Sequence, residues 1–320
     1  MLRIAAILIA LLCAGPALAQ RDSTARTVDI ERVEIAGMRP MKEIGVQRTV
    51  LDSAILRENI SSSLADALSS GSTLFIKSYG RATLATASFR GTAPSHTQVT
   101  WNGMKMNSPM LGQVDFSLIP SYFVDDASIY HGASSVGITG GGLGGAITLA
   151  TKEPETRGFA LRYVQGIGSF TTFDEFLRLS YRAERWSAVT RVLVSTSEND
   201  FRYRNYDSKQ FVINDNGEIV DACYPLQRNR NGAFRDLHLL QEFYYTSRQG
   251  DRFSLAAWYL DTDRGLALLS SDRNTSREKR NSQTERTLRA VAAWDRLFGA
   301  VKAGVRAGYT YDDLRYLMES

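Results

Sequence analysis

The sequence predicts a small α+β domain followed by the first strands of an antiparallel transmembrane β-barrel. Three observations lead to this prediction. The chain begins with a secretion signal over residues 1–19, residues 38–152 mix short elements with glycine turns, and residues 153–320 alternate apolar and polar side chains over long segments. Residues 20–37 form a short segment ahead of the α+β domain.

The N-terminal segment has the three parts of a secretory signal peptide. Arg3 supplies a positive charge, residues 4–15 are apolar, and Ala17-Leu18-Ala19 is a small-x-small cleavage site. Its apolar core is too short to span a bilayer as a helix, so we predict cleavage after Ala19. The alternative is a lipid-modified Cys13, but Leu12 stands before it, where a lipoprotein signal needs a small residue.

Composition disfavours several classes of protein. The formal net charge of +4 comes without a run of like charges, which disfavours nucleic-acid binding. Cleavage leaves Cys223 as the one cysteine, and the three histidines, His96, His131 and His238, are scattered. We therefore predict no metal site and no cofactor. No Ser/His/Asp set or paired carboxylates indicate an enzyme.

The α+β region is predicted to contain two short helices and several short strands. Asp52 is a candidate N-cap for a helix ending near Asn59, and Ser61 or Ser62 for a second helix ending near Gly71. Strand-like segments separated by turn signals are predicted at 73–76, 97–101, 127–130 and 146–150.

The last region has the pattern of lipid-facing strands. In residues 301–311, valine, alanine and tyrosine alternate with polar residues and glycine. Period two over about ten residues, with an apolar face ending in aromatic residues, is typical of a barrel strand. A soluble sandwich also alternates, but the signal peptide and the aromatic ends favour the barrel. About seven strands are predicted, near 158–167, 173–183, 186–196, 234–247, 252–262, 285–295 and 300–312.

The connections between these strands alternate in length. Tight turns at 184–185 and 248–251 alternate with polar connections at 197–232 and 263–284, as periplasmic turns alternate with extracellular loops. Seven strands would leave unpaired edges in lipid, so we expect this sequence to be the N-terminal part of a longer protein.

Five motifs between residues 64 and 151 occur in a fixed order. They are Leu64-Ala65-Asp66-Ala67-Leu68, Ser88-Phe89-Arg90-Gly91, Val99-Thr100-Trp101-Asn102-Gly103, the segment from Ile119-Pro120 to 135, and the glycine-rich stretch 140–151. Together they resemble the plug of TonB-dependent outer-membrane receptors, with Asn102 in place of the usual aspartate. The resemblance implies a plug inside a barrel of about 22 strands in a Gram-negative outer membrane. It also implies a periplasmic N-terminus and no enzymatic activity.

Several positions in these motifs are expected to be structural. Arg90-Gly91 allows a tight turn from which the guanidinium reaches nearby oxygens, and Asn102-Gly103 favours a two-residue hairpin turn. We expect Gly132, Gly144 and Gly145 to be structural too, the glycine run packing closely where the plug passes beside the barrel wall. A phosphate-binding loop is disfavoured because no Lys-Ser/Thr follows the run.

Residues 90–99, Arg-Gly-Thr-Ala-Pro-Ser-His-Thr-Gln-Val, are similar to a motif of the cobalamin receptors. This similarity implies import of cobalamin or a related corrinoid; the alternative is a ferric siderophore. Two loops, 79–86 and 107–115, then correspond to apical, ligand-contacting loops. The candidate ligand contacts are Tyr79, Arg81, Thr83, Asn107, Ser108, Met110, Gln113 and Asp115.

Residues 32–37 resemble the TonB box, an extended segment that adds a strand to TonB through main-chain hydrogen bonds. The implied TonB contacts are Arg32, Val33, Glu34, Ile35 and Ala36. Glu34 departs from the usual apolar run, and a first strand of the plug is the competing interpretation. Other implied partners are outer-membrane lipid and a surface lipoprotein. A non-transporting adhesin or glycan-binding protein on the same scaffold is the alternative of another class.

Overall fold

Short elements build the N-terminal domain (residues 46–152), and long strands build the sheet that follows it. The computed structural model describes residues 46–136, 142–267, 281–299 and 301–318. The predicted signal peptide and the candidate TonB box lie outside the described residues.

Helix α1 (Ser53–Leu56) begins where the sequence predicts it. The Asp52 carboxylate accepts a hydrogen bond from the Ala54 N–H at 2.8 Å, which caps the helix. It ends before the predicted Asn59, because the Asn59 side chain accepts the Ser61 N–H at 2.9 Å and turns the chain. None of the described helices is long and apolar enough to cross a membrane.

Helix α2 (Leu64–Gly71) ends at the predicted glycine, but its N-cap is Ser63. The prediction of Ser61 or Ser62 is wrong by one or two residues. Asp66, three residues after Ser63, accepts hydrogen bonds from both the backbone N–H and the hydroxyl of Ser63, each at 2.8 Å. Both bonds are donated by Ser63 to the Asp66 carboxylate, and they fix the start of the helix at this serine.

A five-stranded mixed sheet forms the centre of the N-terminal domain. Its order is β1-β6-β7-β4-β5, and only the β4–β7 pair is parallel. The strands are β1 (Arg48–Val50), β4 (Thr97–Trp101), β5 (Met104–Lys105), β6 (Asp126–His131) and β7 (Gly145–Ala150). A separate hairpin pairs β2 (Phe75–Ser78) with β3 (Ala85–Ser88). The predicted 97–101 strand is confirmed with identical bounds, whereas the 73–76 strand lies two residues later.

The seven predicted long strands are confirmed and form one antiparallel sheet, here called the wall. The order is β8-β9-β10-β15-β16-β17-β18, and the sheet is not closed. The strands are β8 (Gly158–Gly168), β9 (Thr172–Arg182), β10 (Trp186–Ser197), β15 (Phe234–Thr246), β16 (Arg252–Gly265), β17 (Ser282–Phe298) and β18 (Val301–Leu317). The end of the wall with the short turns at 184–185 and 248–251 is called the tight-turn end. The opposite end, which carries the long connections after β10 and β16, is called the long-loop end.

Two small hairpins occupy the first long connection, where the sequence pattern predicts no strand. They pair β11 with β14 and β12 with β13. Their bounds are β11 (Arg202–Arg204), β12 (Gln210–Ile213), β13 (Ile219–Cys223) and β14 (Leu226–Arg228).

Alternation along the wall separates its two faces. On β16, Phe253 and Leu255 are 45% and 47% exposed, whereas Ala256 and Trp258 are buried. The exposed apolar face corresponds to the lipid-facing side of a barrel strand. The buried face contacts the N-terminal domain.

An aromatic cluster joins the N-terminal domain to the wall. Phe123, fully buried, lies 6.2 Å from Phe176, 5.5 Å from His238 and 5.6 Å from Trp258, measured between ring centroids. Trp101 lies 5.5 Å from the same Trp258. Edge-on and tilted contacts at these separations add to the apolar burial. The core of the N-terminal domain is therefore completed by wall residues.

We predict that Phe123→Ala lowers the free energy of unfolding of the N-terminal domain by about 3–5 kcal/mol, because it opens a cavity among buried rings. The measurement is denaturant unfolding of the detergent-solubilised full-length protein, followed by tryptophan fluorescence. Phe75→Ala is the matched control: Phe75 is 65% exposed, and its loss should change stability by less than about 0.5 kcal/mol. Equal effects of the two substitutions would contradict this account of the core.

Candidate functional site: the interface between the N-terminal domain and the wall

The Asn102-Gly103 and Arg90-Gly91 motifs occupy tight turns. Asn102 and Gly103 have φ of +48° and +81° and connect β4 to β5, where Trp101 pairs with Met104. These angles are those of the two-residue hairpin turn that favours Asn-Gly. Arg90 and Gly91 also have positive φ, and the Arg90 guanidinium donates to the Gln47 side-chain oxygen at 3.4 Å.

Gly132 also has a positive φ, +53°. Gly144 and Gly145 make their close contacts inside the N-terminal domain. A Cβ on Gly145 would lie 2.4 Å from the carbonyl oxygen of Tyr130, and one on Gly144 would lie 3.1 Å from Cβ of Phe89. The expected packing beside the wall is therefore wrong for these two glycines, because β7 sits in the middle of the domain's own sheet.

Some candidate ligand contacts lie open at the long-loop end. Tyr79 and Met110 are 61% and 85% exposed. The Thr83 hydroxyl donates to the Gly80 carbonyl at 2.7 Å, and the Ser108 N–H donates to the Gln113 carbonyl at 3.0 Å. The structure thus brings the tips of loops 79–84 and 107–113 to the surface.

Asn107, by contrast, holds its own loop together. Its side-chain NH₂ donates to the carbonyls of Thr97 and Gly112 at 2.8 and 2.9 Å, and its oxygen accepts the Val99 N–H at 2.9 Å. The residue is buried. All these hydrogen bonds are made within the N-terminal domain.

Asp115 contacts the wall. Its Oδ2 accepts a hydrogen bond from Arg264 Nη2 at 2.6 Å, and Arg264 is only 2% exposed. Arg264 also donates to the Ser117 hydroxyl at 3.1 Å, while Asp115 Oδ1 accepts the Ala85 N–H at 3.0 Å. The carboxylate therefore connects β3, its own loop and β16.

Arg81 contacts the wall as well. Its Nη2 lies 2.5 Å from Asp174 Oδ1 on β9 and 3.2 Å from the Ser195 hydroxyl on β10. The guanidinium carbon lies 5.2 Å from the centre of the Phe234 ring on β15. The Arg81 guanidinium is therefore held by an ion pair, a hydrogen bond and a cation–π contact.

A third contact joins Asp125 to Arg191 on β10. Arg191, 1% exposed, donates through Nη1 to Asp125 Oδ1 at 3.2 Å and through Nη2 to Asp125 Oδ2. The same guanidinium lies 3.3 Å from Glu242 Oε2, and the Tyr244 hydroxyl donates to Glu242 Oε1 at 2.7 Å. A paired guanidinium of this kind is strongly held because an unpaired one would be costly to bury.

The environment of Asp125 favours its ionised form. Burial opposes ionisation, but the charge and hydrogen bond of Arg191 and the backbone N–H of Lys152 together outweigh it. The pKa of Asp125 therefore lies below its usual value of 3.8.

Sequence reasoning did not find the wall partners Asp174, Arg191 and Arg264. A charged residue on the inward face of an alternating strand could have indicated such a partner. Arg191 is an example, since its neighbours Thr190 and Val192 face outward.

Among the described residues, no cluster of three or more His, Cys, Asp or Glu side chains is arranged to hold a metal ion. Cys223 is exposed on β13.

Residues 40–146 match the TonB-dependent receptor plug domain. No curated protein sequence matches the chain significantly. Among solved structures, the siderophore receptor PiuA from Acinetobacter baumannii is 15% identical with a TM-score of 0.60, over 85% of this chain and 37% of that one. The ferric-catecholate import receptor Fiu from E. coli K12, in its open form, is 12% identical with a TM-score of 0.57, over 85% and 39%.

The hemophore receptor HasR of Serratia marcescens is 15% identical with a TM-score of 0.57, over 84% of this chain and 38% of that one. At such identities the likeness shows the fold, and the chain spans less than half of each receptor's length. The N-terminal domain is a plug domain, and the wall has the fold of the receptor barrels. The family match covers the N-terminal domain alone, and the likeness to solved receptors shows the fold of both parts.

We predict that Asp125→Asn destabilises the docked plug domain by about 3–5 kcal/mol, because it leaves the buried Arg191 guanidinium with Glu242 as its one carboxylate partner. Asp126→Asn is the neighbouring control. Its partner Lys152 is 60% exposed, so that loss should stay below about 1 kcal/mol. Protease susceptibility of the plug domain in the purified full-length protein measures both.

Asp125→Asn should also change how the docking of the plug domain depends on pH. Because the folded pKa of Asp125 is lowered, its contribution is complete above the usual value of 3.8 and is lost as the pH falls below it. Docking should therefore weaken in acid more in wild type than in Asp125→Asn. Identical pH profiles would show that this carboxylate does not hold the plug domain.

Proposed function

We propose that the protein is a TonB-dependent receptor that imports a scarce, large ligand across the outer membrane of a Gram-negative cell. The observation that carries this proposal is the plug domain, fastened to the inner face of the wall by three arginine–aspartate contacts. A domain in this position blocks a barrel lumen, and import requires that it shift.

The contacts make spontaneous displacement rare. Displacing the plug domain separates three ion pairs at once and uncovers the buried rings of Phe123 and Trp258, so the shifted state has a small population. Work supplied from outside the chain is then needed to favour that state. In this proposal TonB supplies the work by pulling on residues 32–36, with the N-terminus in the periplasm.

Strand addition to TonB depends on main-chain donors rather than on particular side chains. We predict that deleting residues 32–37 from the complete receptor abolishes uptake and leaves surface binding intact. Val33→Pro and Glu34→Pro lie on alternate sides of an extended strand, so at least one removes a pairing N–H and should lower uptake at least tenfold.

Val33→Ala and Glu34→Ala are the matched controls and should retain uptake. Radiolabelled ligand measures uptake and binding in the same cells. If the deletion removes both activities, or neither, the proposal is overturned. Uptake that persists without TonB would favour the adhesin or glycan-binding alternative.

For the ligand we propose cobalamin or a related corrinoid, on the likeness of residues 90–99 to the cobalamin receptors. The open part of the apical loops supports a ligand with much uncharged surface. Tyr79, Met110 and Leu111 are exposed, whereas the guanidinium of Arg81 is paired with Asp174. A ferric siderophore is the second candidate, because PiuA and Fiu are described as siderophore and ferric-catecholate receptors.

We predict that the full-length receptor binds cobalamin more tightly than a ferric tricatecholate in isothermal titration calorimetry. Met110→Asp should weaken cobalamin binding at least tenfold, because it places a charge against the apolar ligand surface. Met110→Leu preserves volume and should bind normally. No detectable cobalamin binding, together with binding of the ferric chelate, would replace the corrinoid by the siderophore.

A further inference from the structure

Three neighbouring wall strands present a recognition set for a cation. Asp174 on β9 pairs directly with Ser195 on β10, and Phe234 lies on the adjacent β15. These residues are 1%, 6% and 6% exposed. A carboxylate, a hydroxyl and an aromatic face are the groups that bind guanidinium or alkylammonium ions.

The set belongs to the wall, whereas the cation in it belongs to the plug domain. Arg81 lies in the connection between β2 and β3, flanked by Gly80 at φ +117° and Ala82 at φ +53°. Its side chain remains 32% exposed while Asp174 is 1% exposed. The half-buried Arg81 and the Ser61 hydroxyl, which donates to Asp174 Oδ2 at 2.5 Å, therefore both cover this carboxylate.

A cavity of about 280 Å³ adjoins this site. It is lined by the recognition set and by Asp236 and His238 of β15. The Asp236 Oδ1 accepts a hydrogen bond from the Thr262 hydroxyl. His238 is 2% exposed, and its Nδ1 has no hydrogen-bond partner within the described ranges. The cavity thus offers polar groups to an occupant larger than the Arg81 guanidinium.

We propose that this cavity is a binding site for a small molecule bearing a guanidinium or primary ammonium group, and that Arg81 occupies it in the resting protein. A ligand of this class replaces Arg81 on Asp174 and frees loop 79–84 from the wall. The site is separate from the exposed tips of the apical loops and goes beyond the import proposed above.

Replacing Arg81 by alanine vacates a guanidinium-shaped space. In the purified full-length receptor, Arg81→Ala should bind methylguanidinium at least tenfold more tightly than wild type in isothermal titration calorimetry. The double variant Arg81→Ala/Asp174→Asn should lose that gain. Binding by Arg81→Ala no tighter than wild type, or unaffected by Asp174→Asn, overturns the proposal. TonB takes no part, so failure here leaves the import proposal untouched.

A second measurement keeps Arg81 in place and so avoids any folding defect. A spin label on Thr83→Cys, in a Cys223→Ser background, reports the mobility of loop 79–84. Methylguanidinium should increase that mobility, whereas methylurea, its neutral counterpart of similar shape, should not. Equal responses to the two compounds, or no response to methylguanidinium, overturn the proposal.

Discussion

The buried guanidinium of Arg191 is the constraint on which the position of the plug domain depends. An arginine cannot shed its charge in a protein, and this one is 1% exposed. Its two carboxylates come from different parts of the chain: Asp125 from the plug domain and Glu242 from the wall. Withdrawing the plug domain leaves this positive charge with Glu242 as its single acidic partner. The docked arrangement is therefore strongly preferred, and the aromatic contacts of Phe123 are held in register with it.

The other two contacts give the interface its orientation. Two of the three pairs place the acid on the plug domain, at Asp115 and Asp125, and the third reverses the polarity with Arg81. A rotated plug domain would bring like charges together, and such a mismatch is a strong source of specificity. The wall holds its opposite partners at fixed register positions because β9, β10, β15 and β16 pair without a bulge. The wall therefore fixes the positions at which the plug domain must place Arg81, Asp115 and Asp125.

The wall was largely predictable from the sequence, whereas the interface was not. Strands of ten or more residues repeat their alternation often enough to be recognised, and all seven were predicted. Strands such as β1 and β5 have three and two residues, too few to show a period, and depend on distant partners for their hydrogen bonds. The same holds for the contacts: Arg191 and Asp125 lie 66 positions apart, and Arg264 and Asp115 lie 149 apart. Local pattern carries no information about such pairs.

The candidate ligand residues illustrate a further limit. A polar side chain in a loop either contacts a ligand or makes hydrogen bonds within the protein. The sequence motif looks the same in both cases. Asn107, Arg81 and Asp115 bond within the protein, whereas Tyr79 and Met110 stay open. Each open residue shares a loop with one that contacts the wall: Tyr79 precedes Arg81 by two residues, and Met110 precedes Asp115 by five. The surface that these two residues form is therefore connected to the wall contacts by two and five residues of chain.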